Sequence, residues 1–162
     1  MSQMIPWLAF CALFLLLCIV LPRAARIFIG VFFILMAVGV NWILSITAPE
    51  LFVALGTDNA ILPVYAWFFE SVVSLAPQLV GIVAGIGEIV VGVLILARGR
   101  YVKWGLALGI AFLVLITPLG IWTLPNVVMA AGMGLLMTRT YERSVVDMLT
   151  RRRPQHTQSA LD

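Results

Sequence analysis

Glu88 stands near the middle of QLVGIVAGIGEIVVGVLILA, residues 78–97, a run whose other side chains are apolar or small after its first residue. A helix of about 20 apolar residues matches a hydrocarbon core roughly 30 Å thick, and an acid near its centre costs on the order of 3 kcal/mol. Something must compensate it. Gly81, Gly85 and Gly92 lie at i−7, i−3 and i+4 from Glu88, so on a helix they share its stripe, while Ile86, Val90, Val93 and Leu94 fall elsewhere. This spacing predicts a stripe facing another helix and not lipid.

The rest of the chain has the same character. Of 162 residues, 63% are hydrophobic and 10% charged, and the mean hydropathy of +1.13 excludes an ordinary soluble domain. Its apolar runs are continuous, without the alternation of a transmembrane barrel strand. The expected fold is an all-α integral membrane protein, with residues 1–138 as one bundle and 139–162 as a cytoplasmic tail.

The ten cations form three clusters: Arg23 and Arg26; Arg98, Arg100 and Lys103; and Arg139, Arg143, Arg151, Arg152 and Arg153. Between the first two lie Glu50, Asp58 and Glu70 with no Lys or Arg. Basic segments stay cytoplasmic, so the amino terminus is expected outside and the carboxyl terminus inside a cell (inner) membrane. The cations flank apolar spans and are not interleaved with exposed aromatics, which argues against a nucleic-acid partner.

Five spans follow, at about 4–21, 27–47, 78–97, 105–122 and 126–138. The first, ended by Pro22, has no positive residue before it and leads directly into a second span, so it reads as a retained helix. The apolar run from Gly105 to Met137 would make roughly 50 Å of helix, too long for one crossing, and Pro118 and Pro125 offer the break, best placed at Thr123 to Asn126. Dividing it there also returns the arginine-rich tail to the cytoplasm. Asn41, in the last two turns of the second span, carries an amide that either bonds another helix or reaches the headgroups.

Between the second and third spans, helices are expected near Glu50 to Leu55 and from Val64 to Leu75. The latter is too short to span and rich in aromatics, an outer interfacial helix in which Tyr65, Trp67, Phe68 and Glu70 form either a lid over the bundle or an anchor at the headgroups. Gly105 and Gly109 form a G-x-x-x-G packing surface that adds to Gly81, Gly85 and Gly92. After Met137, Tyr141, Val145, Met148 and Leu149 oppose basic residues, the pattern of an amphipathic basic helix on the membrane surface.

Metal chemistry finds little footing. Cys11 and Cys18 are seven residues apart, roughly 10 Å along a helix and too far for a mutual disulfide, and His156 is the single histidine. No metal site or cofactor is evident. Met129, Met133 and Met137 recur every fourth residue, a stripe better suited to core packing than to a soft metal without Cys or His beside it.

The run GIGEIVVGVLILARGRYVKWGLALGIAFLVLITP, from Gly85, with the LPN that follows at 124–126, resembles the DoxX and DoxX-like group of small multi-pass membrane proteins. Arg26-x-x-x-Gly30 and the segment from Pro49 to Phe52 fit the same pattern. The resemblance covers roughly two thirds of the chain and rests on motifs dominated by glycine and leucine. It implies a four-helix bundle to which the span at 4–21 is an amino-terminal addition. Where many members carry Lys or His near the end of the first family helix, this chain has Val40-Asn41-Trp42.

Members of the family are associated with quinone-linked membrane redox complexes, or act as accessory and assembly proteins. The resemblance therefore implies a membrane subunit that binds a quinone or lipid-like ligand between its helices at Glu88 and Asn41. If it takes part in an enzyme, it does so as an accessory subunit of a quinone-linked oxidoreductase, its electrons coming from a partner or through the bound quinone. The alternative is a non-enzymatic bundle that stabilises a partner membrane protein or a homo-oligomer. Transport of a small solute or lipid has one acid and one amide as its support. Every Lys and Arg is placed at the cytoplasmic edge or beyond, so Glu88 is expected to be protonated or bonded to a neutral group, not ion-paired.

Overall fold

A computed structural model describes residues 4–142, 144 and 145. Among them all regular structure is helical: α1 (Met4–Val20), α2 (Pro22–Met36), a π-helical turn (Ala37–Trp42), α3 (Ile43–Thr47), α4 (Pro49–Thr57), α5 (Pro63–Ser71), α6 (Pro77–Leu96), α7 (Arg100–Ile116) and α8 (Asn126–Met137). Three helical runs are long and apolar enough to cross a membrane: Pro22–Thr47, Pro77–Leu96 and Arg100–Leu119; Met4–Val20 and Ile121–Met137 are shorter apolar helices.

Proline sets the boundaries. Pro22, Pro49, Pro63 and Pro77 each occupy the start of a helix, where the missing N–H has no intrahelical partner to lose and the fixed φ is already helical. The second helix consequently begins at Pro22, earlier than residue 27, and Arg23 and Arg26 lie within it. The expected helix from Val64 to Leu75 is shorter, ending at Ser71 before a 3₁₀ turn at Val73–Leu75. The apolar run after Gly105 breaks earlier than expected: α7 gives way to 3₁₀ turns at Thr117–Leu119 and Ile121–Thr123 on either side of Gly120. Thr123 secures the reversal, its one hydroxyl proton shared between the carbonyls of Thr117 (2.7 Å) and Gly120 (2.6 Å).

Five helical units close into a ring, α1 against α2, α2 against α6, α6 against α7, α7 against α8, and α8 back against α1. Its interior is filled by Cys11 and Phe14 from α1, Ile29 and Phe33 from α2, Ile95 from α6, Leu106 from α7 and Met129 and Met133 from α8. The methionine stripe thus serves packing, with Met137 partly buried at its end. Large apolar side chains such as Leu13, Leu35, Val83, Val93 and Leu115 face outward, as required where the surroundings are hydrocarbon.

The ring has two unlike ends. At one, a single residue joins α1 to α2, and α6 turns into α7 through Gly99, whose φ of +61° suits glycine and whose N–H donates to the Tyr141 carbonyl at 2.6 Å. Arg23, Arg26, Arg98, Arg100, Lys103 and Arg139 gather here. Arg26, placed at the membrane edge by its sequence context, is 1% exposed, its guanidinium 4.8 Å from the centre of the Tyr141 ring. The opposite end carries the hairpin of α4 and α5, with Phe69 over Gly56 and with Glu50, Asp58 and Glu70. Residues 139–142 are not helical and Val145 is; Arg143, Met148, Leu149 and the arginine triplet of the expected amphipathic tail helix lie outside the described residues.

Candidate functional site

The glycine stripe of α6 packs on α2 and its continuation. A side chain at Gly92 would meet the carbonyl oxygen of Gly30, one at Gly81 would meet Ser45 and the backbone of Asn41, and one at Gly85 would meet the Trp42 indole. Without those side chains the two helices approach closely, the arrangement that small residues permit where lipid supplies no hydrophobic drive for association. Gly105 seats α7 against Ile95 of α6, and Gly109 receives Met133 and Phe33.

The π turn aligns the partner face. Phe33, Ala37, Asn41 and Ser45 are four residues apart, a step that on an ideal α-helix drifts by about 40° each time. Between Ala37 and Trp42 the helix widens, and the N–H of Ile43 reaches back five residues to Val38. The added residue per turn absorbs the drift and keeps Asn41, Trp42 and Ser45 turned toward α6.

There Asn41 Nδ2 donates to Glu88 Oε2 at 2.6 Å. The Trp42 indole N–H donates to the Ile82 carbonyl at 3.2 Å, and the Ser45 hydroxyl to the Trp42 carbonyl at 3.3 Å. Glu88 is 4% exposed, and its second oxygen, Oε1, accepts no hydrogen bond among the described residues. One carboxyl oxygen is therefore held by an amide, while the other, at the slightly exposed edge of the side chain, is left for a proton or a ligand.

Compared with known proteins, the chain matches no family model, no curated protein and no solved structure. Its chemistry must be read from its own residues.

Of the side chains singled out from sequence, Glu88, Asn41, Gly81, Gly85 and Gly92 come together in one seam, with Gly105 and Gly109 packing the next two. Tyr65, Trp67, Phe68 and Glu70 lie elsewhere. Tyr65 donates to the Leu115 carbonyl at 2.6 Å, the N–H of Ile61 bonds the Pro118 carbonyl at 2.9 Å, and Glu70 receives the Ser74 hydroxyl on its backbone oxygen. Trp67 and Phe68 remain exposed. The first two bonds strap the segment to the end of α7, the third is internal to it, and among the described residues no hydrogen bond joins it to Asn41 or Glu88.

Two participants escaped the sequence reading. Trp42 and Ser45 complete the seam, and the spacing that could have revealed them is present: Asn41 and Ser45 are four apart, as are Gly81 and Gly85. A second buried polar bond, from the Trp7 indole N–H to Asn126 Oδ1 at 3.0 Å, joins α1 to α8. Among the described residues no three His, Cys, Asp or Glu side chains cluster as metal ligands, and Cys11 and Cys18 are buried free thiols.

Proposed function

We propose that this protein is a five-span, DoxX-like membrane subunit associated with a redox complex, and that Glu88 and Asn41 form its site for a quinone or lipid-like ligand between α2 and α6. The observation that carries the reading is the half-used carboxyl: Oε2 is held by Asn41, and Oε1 has no partner among the described residues. Such a group can hold a ligand hydroxyl or carbonyl, exchanging a proton with it, in a setting where an ionisable residue marks function by default. Electrons would come from a partner. The spans proposed are those of α1, α2 with α3, α6, α7 and α8, the basic end lying in the cytoplasm of an inner membrane and the α4–α5 hairpin outside, its aromatics anchored at the headgroups.

A second reading, that of an accessory protein stabilising a membrane partner or a second copy, draws on Gly39 and Gly87. Nothing lies within 4 Å of a side chain added at either, so they offer smooth places on the exterior for another helix.

Extraction from native membrane followed by mass spectrometry separates the two. The first reading expects bound quinone or lipid that Glu88→Gln releases, together with loss of partner-dependent quinone reduction. If Glu88→Gln changes neither, the acid has no redox role; stoichiometric recovery of one membrane protein without quinone favours the second reading. Reporter fusions at residues 60 and 124 are expected outside, and a cytoplasmic signal from either would overturn the five-span topology.

A further inference from the structure

Two apolar grooves run along the outer surface of α1 and α2 and share Phe28 as the ridge between them. The first, about 480 Å³, follows α1 from Phe10 past Leu13 and Leu17 to Val20 and Leu21. The second, about 420 Å³, follows α2 from Ala24 past Ile27 and Val31 to Leu35. Each covers eleven residue steps, so each is about 17 Å long at the rise of an α-helix, close to half of a hydrocarbon core roughly 30 Å thick. Because α1 and α2 are antiparallel and joined by one residue, both grooves begin at the same end, that of Leu21 and Ala24, and both finish near mid-bilayer.

That shared end is basic. Arg23 is exposed and lies one turn before Ile27, on the side of the second groove. Arg98, Arg100, Lys103 and Arg139 belong to the same end, against the single described acid Glu142. The ridge is braced: the Phe28 ring lies 5.6 Å from Phe10, 6.0 Å from Phe14 and 6.2 Å from Phe32, so the grooves exist before anything enters them.

We propose that the grooves on either side of Phe28 seat the two acyl chains of one anionic phospholipid, from the leaflet at the basic end, with its phosphate at Arg23. The dimensions choose this occupant over a second copy of the chain. A partner helix would need a track through the full bilayer, whereas two parallel tracks of one-leaflet length, opening beside a cation, match a two-chain lipid. The site is separate from Glu88 and does not depend on the function proposed for it.

The full-length protein, delipidated in detergent, is titrated with phosphatidylglycerol or phosphatidylcholine and the complexes are counted by native mass spectrometry. Wild type is expected to prefer phosphatidylglycerol by about fivefold, the factor that one cation near an anionic headgroup supplies. Arg23→Gln should bring the two lipids to parity, and Ala24→Phe, which fills the second groove, should weaken both. Glu88→Gln should keep the preference, and unchanged thermal midpoints for the two groove variants establish that they fold. Equal binding of both lipids by wild type, a preference that survives Arg23→Gln, or full binding by Ala24→Phe would each overturn the proposal. So would a dimer that Ala24→Phe abolishes, since the grooves would then belong to a second copy.

Discussion

The seam between α2 and α6 and the seam between α1 and α8 both combine glycine with a side-chain bond between helices, Asn41 to Glu88 in the first and Trp7 to Asn126 in the second, but the glycines meet different things. A side chain at Gly92 would stand 2.6 Å from the backbone oxygen of Gly30, whereas one at Gly132 would meet the Phe14 ring at 3.1 Å and the Cys18 sulfur at 3.2 Å. Backbone cannot yield; a ring and a thiol can. The polar bonds differ likewise, since Asn41 holds an ionisable carboxyl while Trp7 and Asn126 are both neutral. The first seam fixes helix separation rigidly around a costly group, and the second is an adaptable closure of the ring.

The sharpest way to break this contrast is to place a methyl group in each seam. Gly92→Ala should destabilise by about 3 kcal/mol, because overpacking against backbone must push whole helices apart. Gly132→Ala should stay within about 1 kcal/mol of wild type, since the gain in helix propensity of roughly that size offsets a small shift of Phe14 or Cys18. Unfolding in mixed detergent reads both. Equal losses would mean that the two seams are alike.

Next in size are the polar bonds. Asn41→Leu leaves Glu88 buried without its donor and should cost about 2 kcal/mol, while Asn41→Leu with Glu88→Leu should recover most of the loss, as paired removal of both partners usually does. Trp7→Phe should cost less, about 0.6 kcal/mol, the average for neutral bonds between membrane helices. Recovery in the double variant is the deciding measurement. If the Asn41→Leu and Trp7→Phe losses are equal, the ionisable pair holds no special place in the bundle.

The first seam was largely legible in the sequence and the second was not. Glu88 announced itself because a carboxyl among apolar residues has a cost that must be offset, and Gly81, Gly85 and Gly92 shared its stripe by spacing alone. The partner of that carboxyl was harder to name: Asn41 sits near the end of its span, and only the π turn, which follows no composition rule in Ala37 to Trp42, swings it onto α6. Trp7 and Asn126 are 119 residues apart, and each has an ordinary local role, an interfacial aromatic and a residue after proline. Nothing local pairs them; closure of the ring does. The prolines were legible as breaks, but whether a break ends one helix or starts the next depends on the free N–H it removes, which placed α2 at Pro22.

The smallest effect expected is at the basic end of the second seam, and it concerns pH. The Tyr141 hydroxyl donates to the Leu136 carbonyl at 2.9 Å, and burial pushes its ionisation above the ordinary phenol value, with Arg26 and Arg139 pulling the other way and Cys18 adding to the rise. Because the folded protein holds this proton more tightly than the unfolded chain, the stabilisation is fully present below the unfolded value and is lost as pH rises through the folded one. Wild type should therefore lose more stability than Tyr141→Phe between about pH 9 and about pH 11, the window around an ordinary phenol. The two should differ by a constant amount at neutral pH, where the phenylalanine variant lacks only the hydrogen bond to Leu136. Unfolding midpoints of both proteins across that window provide the check: curves that run parallel to pH 11 would show that the Tyr141 proton contributes nothing to closure of the second seam.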